Sequence, residues 1–102
     1  MDYAVSKNNV KIRLPAERWL HITEGHSELA GYFYEIIDAI ENPDEIYSGN
    51  AEELLAVKKI NSKFLIVIYK EISDSDGFII TAFISKRIEY LTNKKLLWKK
   101  QN

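Results

Sequence analysis

The sequence predicts an α+β domain in which two amino-terminal helices pack on an antiparallel four- to five-stranded sheet. Three observations carry this. Residues 29–40 repeat apolar side chains at helical spacing, whereas residues 54–84 change to strand-like runs. The connections between those runs are too short to hold crossover helices, so neighbouring strands must run antiparallel. Helices come first and strands follow, which places the helices together on one face of the sheet.

Residues 1–9 read as a weakly ordered lead-in, with Ser6-Lys7-Asn8-Asn9 as a turn, and 10–102 as a single domain. Val10, Ile12 and Leu14 alternate with Lys11 and Arg13, the pattern of a short strand. Pro15 suits the first turn of a helix, where its missing N–H is no loss. That helix is expected to run to about Glu24, with Gly25 ending it in the left-handed conformation. Ser27 is placed as the N-cap of a second helix, and Glu28 suits its positive dipole end. Leu29, Tyr32, Phe33, Ile36, Ile37 and Ile40 form one apolar stripe on it, and Asn42-Pro43-Asp44 stops it. Strands are then expected at Glu45–Tyr47, Leu54–Ile60, Phe64–Tyr69, Phe78–Ile84 and Leu96–Trp98. Ser48-Gly49-Asn50, Asn61-Ser62-Lys63 and Ser73–Gly77 supply the turns. Phe64–Tyr69 is apolar on both sides, as a central strand should be.

The chain has 102 residues and a mass of 11.9 kDa, enough for one core and not two. Apolar residues at 46% and charged residues at 28% are values of a globular domain. No apolar run approaches the roughly 18 residues needed to span a bilayer. The first residues lack the apolar centre of a signal peptide, so a cytoplasmic protein with no membrane contact is the simplest expectation. With no cysteine, disulfides, thiolate metal sites and a cysteine nucleophile are excluded. The net charge of −1 hides an asymmetry: residues 1–56 carry −7 and residues 57–102 carry +6. A basic carboxy-terminal half suits a nucleic-acid surface. It equally suits two solvated faces whose opposite charges attract.

The chemistry-bearing candidates are few. His21 and His26 are the two histidines. On one continuous helix their spacing turns through about 500°, which puts them on different faces. A helix end at Gly25 would instead let both imidazoles converge on one pocket. Arg18 shares a helical face with His21 and can hold a phosphate by a bidentate contact. Histidine titrates near neutrality and so can take and return protons. Packing of His21 on Trp19, with His26 filling a turn, is the structural alternative. The His-Ile-Thr-Glu-Gly-His string is not a zinc motif, and no metal or cofactor is expected. Period two sets Thr81, Phe83 and Ser85 on one side of their strand. Lys86 and Arg87 at its end, with Lys58 and Lys70 on neighbouring strands, could face phosphates. Lys94-Lys95 and Lys99-Lys100 bracket Trp98, a basic strip that fits RNA or a docked tail equally.

The string Arg18-Trp19-x-His21-Ile22-x-x-x-His26-x-Glu28-Leu29 resembles the opening motif of the phage-type barnase/EndoU/colicin/RelE-like (BECR-fold) nucleases. Asn42-Pro43-Asp44-Glu45-Ile46, Leu54–Lys58, Leu65–Lys70 and Gly77–Phe83 extend the resemblance over roughly residues 10–98. Many members carry proline where this chain has Ser27, a change to a helix start and not to an acid–base group. The resemblance implies a small metal-independent endoribonuclease, often the toxin of a toxin–antitoxin pair, with a small antitoxin as partner. It implies a base that deprotonates the ribose 2′-hydroxyl and an acid that protonates the leaving 5′-oxygen. His21 and His26 are the expected pair, in either order. Arg18 with Lys86 or Arg87 would neutralise phosphate, and Thr81 would donate to a non-bridging oxygen. Lys58, Tyr69 and Ser85 are further candidates for substrate contact. The alternative is a non-catalytic RNA- or protein-binding module on the same fold. Exposed sheet edges leave a homodimer open as well.

Overall fold

The strand-like runs of the second half become the centre of a seven-stranded curled sheet. The computed structural model describes residues 2–101; Met1 and Asn102, at the ends of the expected lead-in and domain, lie outside the described residues. The strands are β1 (Asp2–Val5), β2 (Lys11–Leu14), β3 (Glu45–Ser48), β4 (Leu54–Ile60), β5 (Lys63–Glu71), β6 (Gly77–Ser85) and β7 (Leu96–Lys99). Their spatial order is β1-β2-β6-β5-β4-β3-β7. The α+β class is as expected, but the sheet is larger and is mixed. β2 runs parallel to β6, pairing Ile12 with Gly77 and Arg13 with Phe78. Loop lengths constrain only strands that follow one another in sequence, so they are silent on a pairing made across both helices.

The expected loose lead-in is instead an ordered hairpin. Ala4 is fully buried and opposite Ile12, which gives β1 a core-facing residue of its own. The turn closes with the Ser6 N–H donating to the Val10 carbonyl at 2.9 Å, and Asn9 adopts a left-handed φ of 63°. Glu71 holds the turn from β5, accepting from Ser6 Oγ at 2.6 Å and Asn8 Nδ2 at 3.0 Å.

Helix α1 spans Ala16–Gly25 after Pro15, whose carbonyl accepts from the Trp19 N–H at 3.0 Å. Gly25 remains helical, and His26 breaks the chain at φ −137° and ψ 75°. The single second helix expected from the apolar stripe is divided. Ser27–Leu29 forms one 3-10 turn, and α2 begins only at Phe33 and ends at Glu41. Gly31 lies in the gap, where the extra backbone entropy of glycine disfavours a continuous helix. Both pieces still bury the stripe: Leu29, Ile36 and Ile40 are fully buried. Trp19 of α1 meets Phe33 of α2 edge to face at 5.3 Å between centroids. Asn42 ends α2 by donating from its N–H to the Asp38 carbonyl at 2.7 Å.

Both faces of the central strands are covered. Leu65, Val67 and Tyr69 of β5 face the helices together with Ile12, Ile79 and Ala82. Ile66 faces the other way, into a smaller cluster with Leu55, Val57 and Leu91. Leu91 comes from a 3-10 helix at Glu89–Asn93 that crosses this second face. The radius of gyration, 12.6 Å, is that of one domain of this length, about 13 Å. Among the described residues no helix is long and apolar enough to cross a membrane.

Gly77 marks the junction of β2 and β6. A Cβ there would run into the Lys70 backbone carbonyl and lie 2.7 Å from Ile12 Cδ1. Backbone cannot swing aside as a side chain can. Gly77→Ala is therefore expected to destabilise the fold by about 1–3 kcal/mol, read as a lowered midpoint in denaturant.

Candidate functional site on the rim between α1 and β6

β2 accompanies β6 only at Gly77 and Phe78. Beyond that point α1 packs against β6, so the helix side chains stand at the rim of the sheet. At the start of the rim lies an open cleft of about 390 Å³, lined by Arg13, Glu17, Arg18, His21 and Phe78 among others. Arg13 is occupied: its guanidinium forks onto Asp76, with Nε 2.8 Å from Oδ1 and Nη2 3.1 Å from Oδ2. That leaves Arg18 and His21 as the cleft's other cation-forming groups. They sit one helical turn apart, as the sequence predicts. The His21 side chain is 74% exposed, and its Nδ1 is 3.8 Å from Glu24 Oε1.

His26 stands at the other end of the rim. Its ring lies 6.2 Å from that of Phe83, tilted by 35°. Its side chain is 41% exposed, with Nδ1 3.7 Å from Glu28 Oε2. Tyr90 continues the row, its ring 6.3 Å from Phe83. Burial raises the Tyr90 pKa, so this phenol stays protonated at neutral pH. Thr81 is two residues before Phe83, and the register sets Thr81 opposite Ile68 and Phe83 opposite Ile66, on the face away from the helices. The shared side expected for Thr81, Phe83 and Ser85 is therefore present. A bulge between Ile79 and Thr81 lies between the two ends of the rim.

The two imidazoles are not brought into one cleft. His21 lies beside Phe78 and Ile79, whereas His26 lies beside Phe83. The cleft that His21 lines does not include His26 in its walls. The physical reason is the helix end. Gly25 does not turn the chain early, so the angular separation of a continuous helix is retained through residue 25.

Three other candidates serve the fold. Tyr69 is only 1% exposed in the helix-side core, and burial, then the Glu71 charge, pushes its pKa up. It lines a cavity of about 130 Å³ with Lys7, Leu97 and Trp98, apart from the cleft that holds Arg18 and His21. Lys58 donates from Nζ to the Asn42 carbonyl at 2.6 Å and lies 3.3 Å from Asp38, which ties β4 to the end of α2. Ser85 Oγ donates to the Arg87 carbonyl at 2.7 Å and accepts from the Arg87 N–H at 3.2 Å, closing the turn after β6. Lys86 and Arg87 themselves are exposed. Phe78, Phe83, Glu28 and Tyr90 are the rim residues that the sequence reading did not single out for a site. Alternation along β6 was the available signal for Phe83, whereas Phe78 reaches the same face only through the bulge between Ile79 and Thr81.

A second concentration of charge lies at the opposite side of the sheet. Lys58, Lys59, Lys99 and Lys100 line a shallow groove with Asp44, Glu45 and Phe64. Asp44 organises it, accepting from the Lys59 N–H at 2.7 Å and facing Lys100 Nζ at 2.9 Å. Burial alone would raise the Asp44 pKa, but the Lys59 amide, Lys100 and Lys58 outweigh it and hold the carboxyl below its usual value of 3.8. The sign follows: the folded state binds this proton less readily than the unfolded state. Its stabilisation is present above pH 3.8 and is lost as pH falls through the lower folded value. Asp44→Asn is expected to flatten the acid limb of a melting-temperature profile measured below pH 5. Tyr47 has the opposite shift, to about 12, from burial and from donating its hydroxyl to Glu45 at 2.8 Å. Among the described residues no group of three or more His, Asp and Glu side chains is arranged to hold a metal ion. Comparison with known protein families, curated proteins and solved structures finds no match for this chain.

Proposed function

We propose that the chain is a metal-independent endoribonuclease, a cytoplasmic toxin held in check by a small antitoxin, which takes single-stranded RNA along the α1–β6 rim. The supporting observation is the row of rings and cation-forming groups there. Arg18 and His21 share one cleft, while His26 packs on Phe83 with its Nδ1 toward Glu28. Aromatic faces stack bases without regard to sequence, and cations follow the backbone. A carboxylate beside one imidazole nitrogen orients the ring and leaves the other free for proton transfer.

In this reading His26 takes the 2′-hydroxyl proton. The 2′-oxygen bonds to the adjacent phosphorus, the P–O5′ bond breaks, and the leaving oxygen takes a proton from water. Arg18 and His21 hold a neighbouring phosphate and are not part of the acid–base step. Thr81 donates to a non-bridging oxygen of the reacting phosphate, and Lys86 and Arg87 meet the chain beyond it. The separation of the two imidazoles favours one second reading, an RNA-binding module without cleavage. Incubation of purified protein with a mixed-sequence RNA in EDTA separates the two. Cleavage that persists in chelator and fails in His26→Ala supports the nuclease. Retained binding with intact RNA supports the module. Intact, unbound RNA removes both.

A further inference from the structure

The two outer strands of the sheet are finished differently. The edge at β1 is closed: α2 packs against it, and the Val5 N–H donates to Glu41 Oε2 at 2.9 Å. The edge at β7 is open. It is the last strand in the order, paired with β3 on one side only. Leu96 and Leu97 on it are 45% and 46% exposed. Lys95, Lys99 and Lys100 around them are exposed too, and Lys100 alone among the three has a carboxylate partner among the described residues, Asp44 at 2.9 Å.

An unpaired edge of this kind is a template for another strand, and lysines on it decide which strand is accepted. A second copy of β7, laid antiparallel about Leu97, would bring Lys95 and Lys99 of each strand beside those of the other, although the register shift at Leu97 sets the two lysines on opposite faces. Like charges crowded along one strand pair repel even where they do not share a face. An acidic strand meets attraction at the same positions. Its main chain would use the open edge, and its apolar side chains would cover Leu96 and Leu97. From this edge and its charge we infer that β7 is a docking site for an extended, acidic segment of a partner protein, added as an eighth strand. The inference uses neither histidine and stands apart from the RNA reading.

The test uses the whole protein and a capped hexapeptide of alternating Glu and Val. Binding is followed by fluorescence anisotropy, and amide hydrogen exchange is followed residue by residue. The expected result is slowed exchange at Leu96–Lys99 and binding that weakens as salt is raised. Paired charge reversal, Lys95→Glu with Lys99→Glu, should weaken that peptide roughly tenfold and admit its Lys–Val counterpart. Two control probes guard the conclusion. The Glu–Val peptide N-methylated at every residue keeps the charge but loses all its ladder donors, and it should not bind. Equal binding by the methylated peptide overturns strand addition. So does an absence of binding by the Glu–Val peptide, or protection of the β7 amides by oligouridylate in its place.

Discussion

Replacing His26 by alanine is expected to lower RNA cleavage by about 10²–10⁴-fold, the usual contribution of one general acid–base group. The loss should fall on kcat, because the proton moves only in the transition state. His21→Ala is expected to behave differently. A contact to a neighbouring phosphate serves ground state and transition state alike, so KM rises and kcat stays close to the parent value. Both side chains are largely or partly in solvent, at 74% and 41% exposure, so neither change should move the melting temperature by more than a few degrees. The pair of variants therefore reports on chemistry and not on folding. If both lose kcat equally, the two imidazoles act on one phosphate after all, and the rim must close on its substrate. If neither loses cleavage, His26 has no part in the reaction. Glu28→Gln supplies a separate readout. In this reading the carboxylate, 3.7 Å from Nδ1, orients the ring, so its neutralisation should lower kcat and leave KM little changed.

The limits of the sequence reading follow from which interactions are local. The β4 limits, Leu54–Ile60, and the turn at Asn61-Ser62 were legible because alternation and turn chemistry act between near neighbours. The apolar stripe from Leu29 to Ile40 was read correctly as a buried face, but its continuity was not. Gly31 costs only a few tenths to 1 kcal/mol in a helix, and tertiary packing decided the outcome. β1 was missed because only Ala4 shows its core side, and four residues give too little pattern to read a period. The site shows the same division. Arg18 and His21 lie on one helical turn and were found together. The meeting of His26 with Phe83 depends on how α1 lies along β6, which no short-range spacing records. Tyr69 misled for a related reason: within a strand apolar on both sides, sequence cannot say which neighbour a tyrosine faces.

The largest effect on stability is expected at Leu65. It lies on β5, between β4 and β6, paired with Lys58 on one side and Ile84 on the other. Its side chain is fully buried in the cluster beneath α1 and α2. Leu65→Ala removes apolar contact and leaves a cavity that neighbours on a hydrogen-bonded strand cannot fill by moving. Such truncations cost about 2–5 kcal/mol. For a domain of this length 1 kcal/mol corresponds to roughly 4–8 °C, so a loss of about 3 kcal/mol lowers the midpoint by roughly 12–24 °C. Leu96→Ala is the matched control. The same atoms are removed from a side chain 45% exposed on β7, and the midpoint should move by far less. Ile66→Ala then tests whether the second face is a core in its own right. Ile66 is as buried as Leu65, but it faces Leu55, Val57 and Leu91 and not the helices. A comparable loss would mean that the 3-10 helix at Glu89–Asn93 is a structural cover over that face. A loss below about 1 kcal/mol would mean that this cover opens readily, with the cavity reached by water instead of remaining dry. Tyr90 belongs to that same 3-10 helix, so the stability of the second face and the aromatic row beside His26 should rise and fall together.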